Sequence, residues 1–121
     1  MAGKIIADTI ETGAGADIST SYVVNGSAKA WAFFDGTGTP SLDGSFNTAS
    51  LSDLGTGSYL LTWSNALSDA NYSSTASGRS FILTGSAAVQ TTTTVRIGLT
   101  DSAGNAVDDT NNSVTAHGDL A

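Results

Sequence analysis

Ala28-Lys29-Ala30-Trp31-Ala32-Phe33-Phe34-Asp35 is the stretch on which the reading of the fold turns. In an extended strand, Lys29, Trp31 and Phe33 face one side and Ala28, Ala30, Ala32 and Phe34 the other. Both faces are largely apolar, and a strand of that kind lies between two layers or between a sheet and a neighbouring subunit. Working outward, Gly36-Thr37-Gly38-Thr39-Pro40 reverses the chain, and a second strand is expected over Ser45–Leu51. Gly55-Thr56-Gly57 then turns into Ser58–Ser64, where Tyr59, Leu61 and Trp63 share a face, and the pair has the spacing of a hairpin. Residues 65–80 are rich in Ser, Asn, Asp and Ala without a clean period, which reads as a long surface connection with Ala66, Leu67 and Tyr72 tucked inward.

Phe81–Leu83 opens a further strand. Thr93–Asp101 alternates strictly, with Val95, Ile97 and Leu99 on one face, and Ser113–His117 closes the chain with Val114 and Ala116 inward. Six to eight strands result. The expected class is all-β, a small antiparallel β-sandwich or jelly roll with an extended N-terminal arm. The arm is residues 1–21 and the β-sandwich domain residues 22–121. In the arm, Ile5, Ile6 and Ile10 form an apolar cluster and Gly13-Ala14-Gly15 reads as a flexible joint.

Composition agrees with many short strands and turns. Serine and threonine crowd the chain, glycine supplies 14 residues and proline one, and only 12% of residues are charged. At 121 residues with no cysteine, a modest core has no disulfide to support it, which gives weight to oligomerisation. Eleven acidic residues against four basic ones give a net charge of −7, which repels nucleic acid and anionic lipid. Lys4, Lys29, Arg79 and Arg96 are too scattered to build a phosphate-binding stripe. No stretch has the length of a membrane span or of a signal-peptide apolar region, so synthesis in the cytoplasm is expected.

Candidate chemistry is sparse. Three Gly-x-Gly pieces, at Gly13, Gly36 and Gly55, precede coil or strand instead of the helix that a phosphate loop needs, and read as turn glycines. His117 is the single histidine, and its expected place is a strand position facing solvent or a subunit. Asp101, Asn105, Asp108 and Asp109 have oxygen ligands at a spacing that calcium accepts, but they lack the EF-hand order and read as a solvated turn. Trp31, Phe33, Phe34 and Trp63 are expected in the core or at a subunit interface, whereas Tyr22 and Tyr72 lie in segments where exposure is easy to accommodate. No catalytic residue, metal ligand or cofactor is expected.

The run Val23-Val24-Asn25-Gly26-Ser27-Ala28-Lys29-Ala30-Trp31, followed by Phe33-Phe34-Asp35-Gly36-Thr37-Gly38-Thr39, Ser45-Phe46-Asn47 and Gly55-Thr56-Gly57-Ser58-Tyr59, resembles a module of tailed-bacteriophage virion proteins, of the tail-fibre-tip and capsid-knob type. Gly3–Ile10 is similar to the stalk that leads into such tips, and Ala116–Ala121 to their closing strand. The resemblance implies a homotrimeric, non-enzymatic structural protein at the virion surface, partnered by other capsid or tail proteins. The arm residues Ile5, Ile6 and Ile10 are then expected to attach it. A native start at Met1 favours a knob, cement or decoration protein, and a longer parent chain favours a fibre tip. The alternative is a carbohydrate-binding adhesin module that meets a host surface glycan.

Overall fold

A computed structural model of the chain describes residues 3–84 and 90–121. The described residues are almost entirely β. Eight strands form two four-stranded antiparallel sheets: β3 (Ala28–Asp35), β4 (Ser41–Phe46), β5 (Thr48–Asp53), β6 (Ser58–Trp63), β7 (Ser73–Ser77), β8 (Phe81–Thr84), β9 (Thr94–Thr100) and β10 (Asn112–His117). One sheet has the order β4-β3-β10-β7 and the other β5-β6-β9-β8. Ahead of them stand a small hairpin, β1 (Thr9–Glu11) and β2 (Asp17–Ser19), and a seven-residue helix, α1 (Thr20–Gly26).

The core lies between the two sheets. Ala30, Ala32 and Phe34 of β3 and Val114 and Ala116 of β10 face Tyr59, Leu61 and Trp63 of β6 and Val95, Ile97 and Leu99 of β9, all of them buried. These are the alternate positions that the sequence pattern assigns to β6, β9 and β10. Small alanines on β3 and β10 stand opposite larger side chains on β6 and β9, so the layers fill without overpacking. The Phe34 and Tyr59 rings meet at 5.4 Å between centroids, tilted by 57°.

Several sequence expectations change. The strand expected over Ser45–Leu51 is two strands in different sheets, because Asn47 adopts a left-handed conformation (φ 52°) and turns the chain from β4 into β5. The connection over residues 65–80 contains β7, a polar edge strand pairing with β10 from Ser77↔Ser113 to Ser73↔His117, whose hydroxyl-rich sequence hides the alternation. Gly13-Ala14-Gly15 is the tip of the β1–β2 hairpin instead of a joint, with Gly15 at φ 77° and Gly15 N–H donating to Thr12 O. The arm is more than an extended strand. Its hairpin and helix carry the separate N-terminal structure to Gly26, and the sandwich begins at Ala28. Tyr72 is buried, as the inward reading had it, instead of exposed.

Two glycines show what the Gly-x-Gly pieces do. A Cβ on Gly57, whose φ is +65°, would stand 2.5 Å from Leu99 O and 2.8 Å from Val107 N, and Gly57 O accepts the Leu99 N–H. Gly38 has a similar φ, +62°, with open space around it. Gly57→Ala therefore incurs both the left-handed backbone cost and a backbone clash, whereas Gly38→Ala incurs only the first, about 1–2 kcal/mol. We expect Gly57→Ala to lower the melting temperature by more than about 10 °C and Gly38→Ala by roughly half that or less; equal losses in thermal denaturation would show that the Gly57 contact is relieved elsewhere.

Candidate functional site

The structure divides the candidate residues between four places: the arm, the core, the outer face of the β4-β3-β10-β7 sheet, and the acidic loop after β9.

In the arm, Ser19 caps α1, its Oγ accepting the Ser21 N–H at 3.3 Å. The helix start is tied back to the chain ahead of the hairpin, since Thr20 donates its N–H (2.9 Å) and its hydroxyl (3.0 Å) to Asp8 O. The helix end is held by Lys29, whose Nζ donates to Val24 O, to Ser27 O (2.8 Å) and to Ser27 Oγ (3.0 Å). An ammonium on the last carbonyls complements the helix dipole and fastens α1 to β3. None of α1 is buried. Ile5 and Ile6 are 95% and 82% exposed, and Ile10, Ile18, Val23 and Val24 are all exposed as well. Ile10 and Ile18 are direct cross-strand partners and so share a face of the hairpin. Ile5, Ile6, Ile10, Val23 and Val24 line one open crevice of about 400 Å³. The sequence reading found the three isoleucines; it missed Ile18, Val23 and Val24, which join them only through the hairpin register and the helix.

Of the four candidate core or interface aromatics, Phe34 and Trp63 are in the core. Trp63 Nε1 donates to Tyr72 Oη (3.2 Å), which donates in turn to Thr94 O (2.8 Å). Trp31 and Phe33 are not core residues of this chain. They point out of the sheet, 41% and 38% exposed, and Phe46 at 57% lies directly opposite Trp31 on β4. The Trp31 ring lies beside Gly44, the residue opposite Phe33 on β4. On the other side, Ser113 and Thr115 of β10 stand opposite Phe33 and Trp31, and Ser77 and Thr75 of β7 continue the rows. Phe46 went unnoticed in the sequence because its partnership with Trp31 is set by strand register.

A cleft of about 520 Å³ opens beside Phe46, with Lys29, Asn47, Ser64 and Asn65 among its lining residues. Its polar groups are largely occupied by the fold. Asn47 Nδ2 donates to Lys29 O (3.0 Å) and Asn65 O (3.2 Å), while its Oδ1 accepts from Asn65 N (2.7 Å) and Asn65 Nδ2 (3.0 Å).

The acidic loop serves the fold. Asp101 Oδ1 accepts the Ala103 and Asn105 N–H groups, both at 2.9 Å. Asp108 Oδ1 accepts from Gly57 N (2.7 Å) and from the Tyr59 hydroxyl (2.5 Å), which also lies 2.8 Å from Gly36 O. Asp109 accepts from Ser80 Oγ and from Thr110 N, and its carbonyl accepts the Gly36 N–H. No group of three His, Cys, Asp or Glu side chains with metal-holding geometry occurs among the described residues. His117 ends β10, half-buried, opposite Ser73. Asn112 is fully buried; its Nδ2 donates to Asp109 O (2.6 Å) and its Oδ1 has no partner among the described residues.

These hydrogen bonds shift the carboxyls. The Tyr59 hydroxyl, then the Gly57 amide, hold Asp108 below the ordinary Asp range; Asn105 does the same for Asp101, and Ser80 for Asp109. Burial, then the Asp108 carboxylate, pushes the Tyr59 phenol far up. A carboxyl lowered in the folded state contributes stability that is present above its unfolded pKa, about 4, and lost as the pH falls through its folded value. The melting temperature should therefore hold from pH 7 to about 5 and fall steeply below about 4. Asp108→Asn should lower it at pH 7 and flatten the acid limb, and an unaltered acid limb in this variant would show that Asp108 carries none of it.

No protein-family model, no curated protein and no solved structure matches the chain.

Proposed function

We propose that the chain is a non-enzymatic structural module of a bacteriophage particle that works as a homotrimer at the virion surface, either as a knob, cement or decoration protein or as a tail-fibre tip. The observation that carries this reading is the uneven distribution of apolar side chains. Among the described residues, the sandwich buries a core drawn from Ala30 onward, while the arm builds a hairpin and a helix around no buried residue. Secondary structure of that length without a core is marginal by itself and draws its stability from what packs against it. The arm is accordingly the assembly element, with Ile5, Ile6 and Ile10 on its contact surface, and the sandwich projects from it. Synthesis in the host cytoplasm followed by assembly onto capsid or tail proteins suits a chain with this design.

A second reading, a carbohydrate-binding adhesin, is favoured by one observation: Trp31, Phe33 and Phe46 form an exposed aromatic strip beside rows of Ser and Thr hydroxyls. Aromatic faces and hydroxyls are what a neutral sugar needs. The same strip serves equally as a subunit interface, because aromatic residues are enriched there too.

Deleting residues 2–26 should leave the sandwich folded, with a melting temperature within a few degrees of the parent, and should abolish incorporation into particles. Incorporation at normal occupancy would move the anchor into the sandwich, and an unfolded product would make the arm part of the core.

Trp31→Ala separates the two uses of the sheet face. With Trp31 half exposed, truncation should cost the isolated sandwich about 1–2 kcal/mol, well short of the ~3–5 kcal/mol of a buried tryptophan. Light scattering and glycan binding are then compared. Dissociation of the oligomer identifies an interface, whereas an intact oligomer that no longer binds glycans identifies the adhesin.

A further inference from the structure

The arm offers an apolar crevice and an apolar segment that do not satisfy each other within one chain. Ile10, Val23 and Val24 furnish the crevice, and residues 4–7 run along it without regular secondary structure. Ile5 and Ile6 line its edge and yet stay 95% and 82% exposed. The backbone just beyond, at Asp8, is pinned to Thr20, which fixes where the segment leaves the hairpin.

We propose that the crevice of one copy receives the Ile5–Ile6 segment of a second copy, so that the arms exchange contacts around the assembly axis. The exchange rests on the reading of the arm as the assembly element and names its immediate partner as this chain itself, ahead of any virion protein. Three observations favour a second copy. The crevice, at about 400 Å³, lies in the size range of pockets that enclose small ligands, roughly 300–1,000 Å³, so it has room for aliphatic side chains. Ile5 and Ile6 on the segment and Ile10, Val23 and Val24 in the crevice are all exposed, so one contact removes apolar surface from water on both copies at once. Each copy also brings both halves of the contact. A single head-to-tail contact then covers every segment and every crevice once the ring closes, which a one-sided partner would not achieve.

The absence of cysteine from the chain makes the test direct. Ile6→Cys and Val24→Cys are placed in separate full-length chains, one carrying a size tag, co-expressed and gently oxidised. The expected product is a crossed disulfide that joins an Ile6→Cys chain to a Val24→Cys chain. In parallel, Ile5→Asp/Ile6→Asp should weaken self-association on the order of a hundredfold, since burying a charge without a partner is strongly disfavoured. The sandwich should keep its melting temperature, because neither residue belongs to the core. If the parent chain oligomerises while the Asp variant does so equally well, or no crossed disulfide forms, the exchange is wrong and the trimer is held elsewhere. If the parent chain is monomeric at high micromolar concentration, the exchange fails together with the homotrimer; arm-dependent decoration of particles by that monomer would assign the crevice to a virion protein.

Discussion

At Asn47 the chain leaves one sheet and enters the other, and the closure of the sandwich depends on how that step is held. The left-handed backbone there (φ 52°) lets β4 and β5 follow each other with a single residue between them. Asparagine tolerates this conformation better than most residues, and its amide then bridges two strand ends. It reaches Lys29 at the start of β3 and Asn65 just past β6, and Ser64 N–H donates to the Asn47 carbonyl. One residue thus sets the corner and clamps the start of β3 to the end of β6, strands that between them bring Ala30, Ala32, Phe34, Tyr59, Leu61 and Trp63 to the core. Asn47→Gly would preserve the turn and lose the clamp.

The opposite end of the sandwich is closed by different chemistry. There the loop between β9 and β10 is carried by carboxylates: Asp108 on Gly57 and Tyr59, and Asp109 on Ser80. Tyr59 links this polar seam to the core, because its ring packs on Phe34 while its hydroxyl meets Asp108. The acidity of the chain is therefore partly structural. Several of its carboxylates, Asp101, Asp108 and Asp109 among them, serve as acceptors for turn amides and hydroxyls.

What the sequence disclosed and what it withheld follow from the range of the interactions involved. The inward faces of β6, β9 and β10 were legible because period-two alternation of Tyr59, Leu61, Trp63 and of Val95, Ile97, Leu99 is a local signal. The inward face of β3 was legible for the same reason, but the fate of its other face was not: Trp31 and Phe33 look identical in sequence whether a second sheet, a subunit or solvent lies beyond them. β7 was hidden because an edge strand with one half-buried alanine, Ala76, and four hydroxyl residues has the composition of a loop. In the arm the isoleucines were visible, whereas their union with Val23 and Val24 required a helix too short for a periodic signal and a hairpin register fixed by the Thr12–Ala16 turn.

Charge constrains how such a chain can assemble. Each copy carries a net charge of −7, so copies repel one another at distances up to a Debye length of about 8 Å at physiological salt. Any lasting contact between them must then come from surfaces where carboxylates are few and apolar area is large. The described structure offers two: the arm crevice, whose lining includes Lys4 and no acidic residue, and the sheet face around Trp31, Phe33 and Phe46, flanked by Ser113 and Thr115. The arm's own carboxylates, Asp8, Glu11 and Asp17, do not line the crevice. Repulsion spread over the rest of the surface then acts as a filter, disfavouring every arrangement of copies except those that bring these two weakly charged apolar regions into contact.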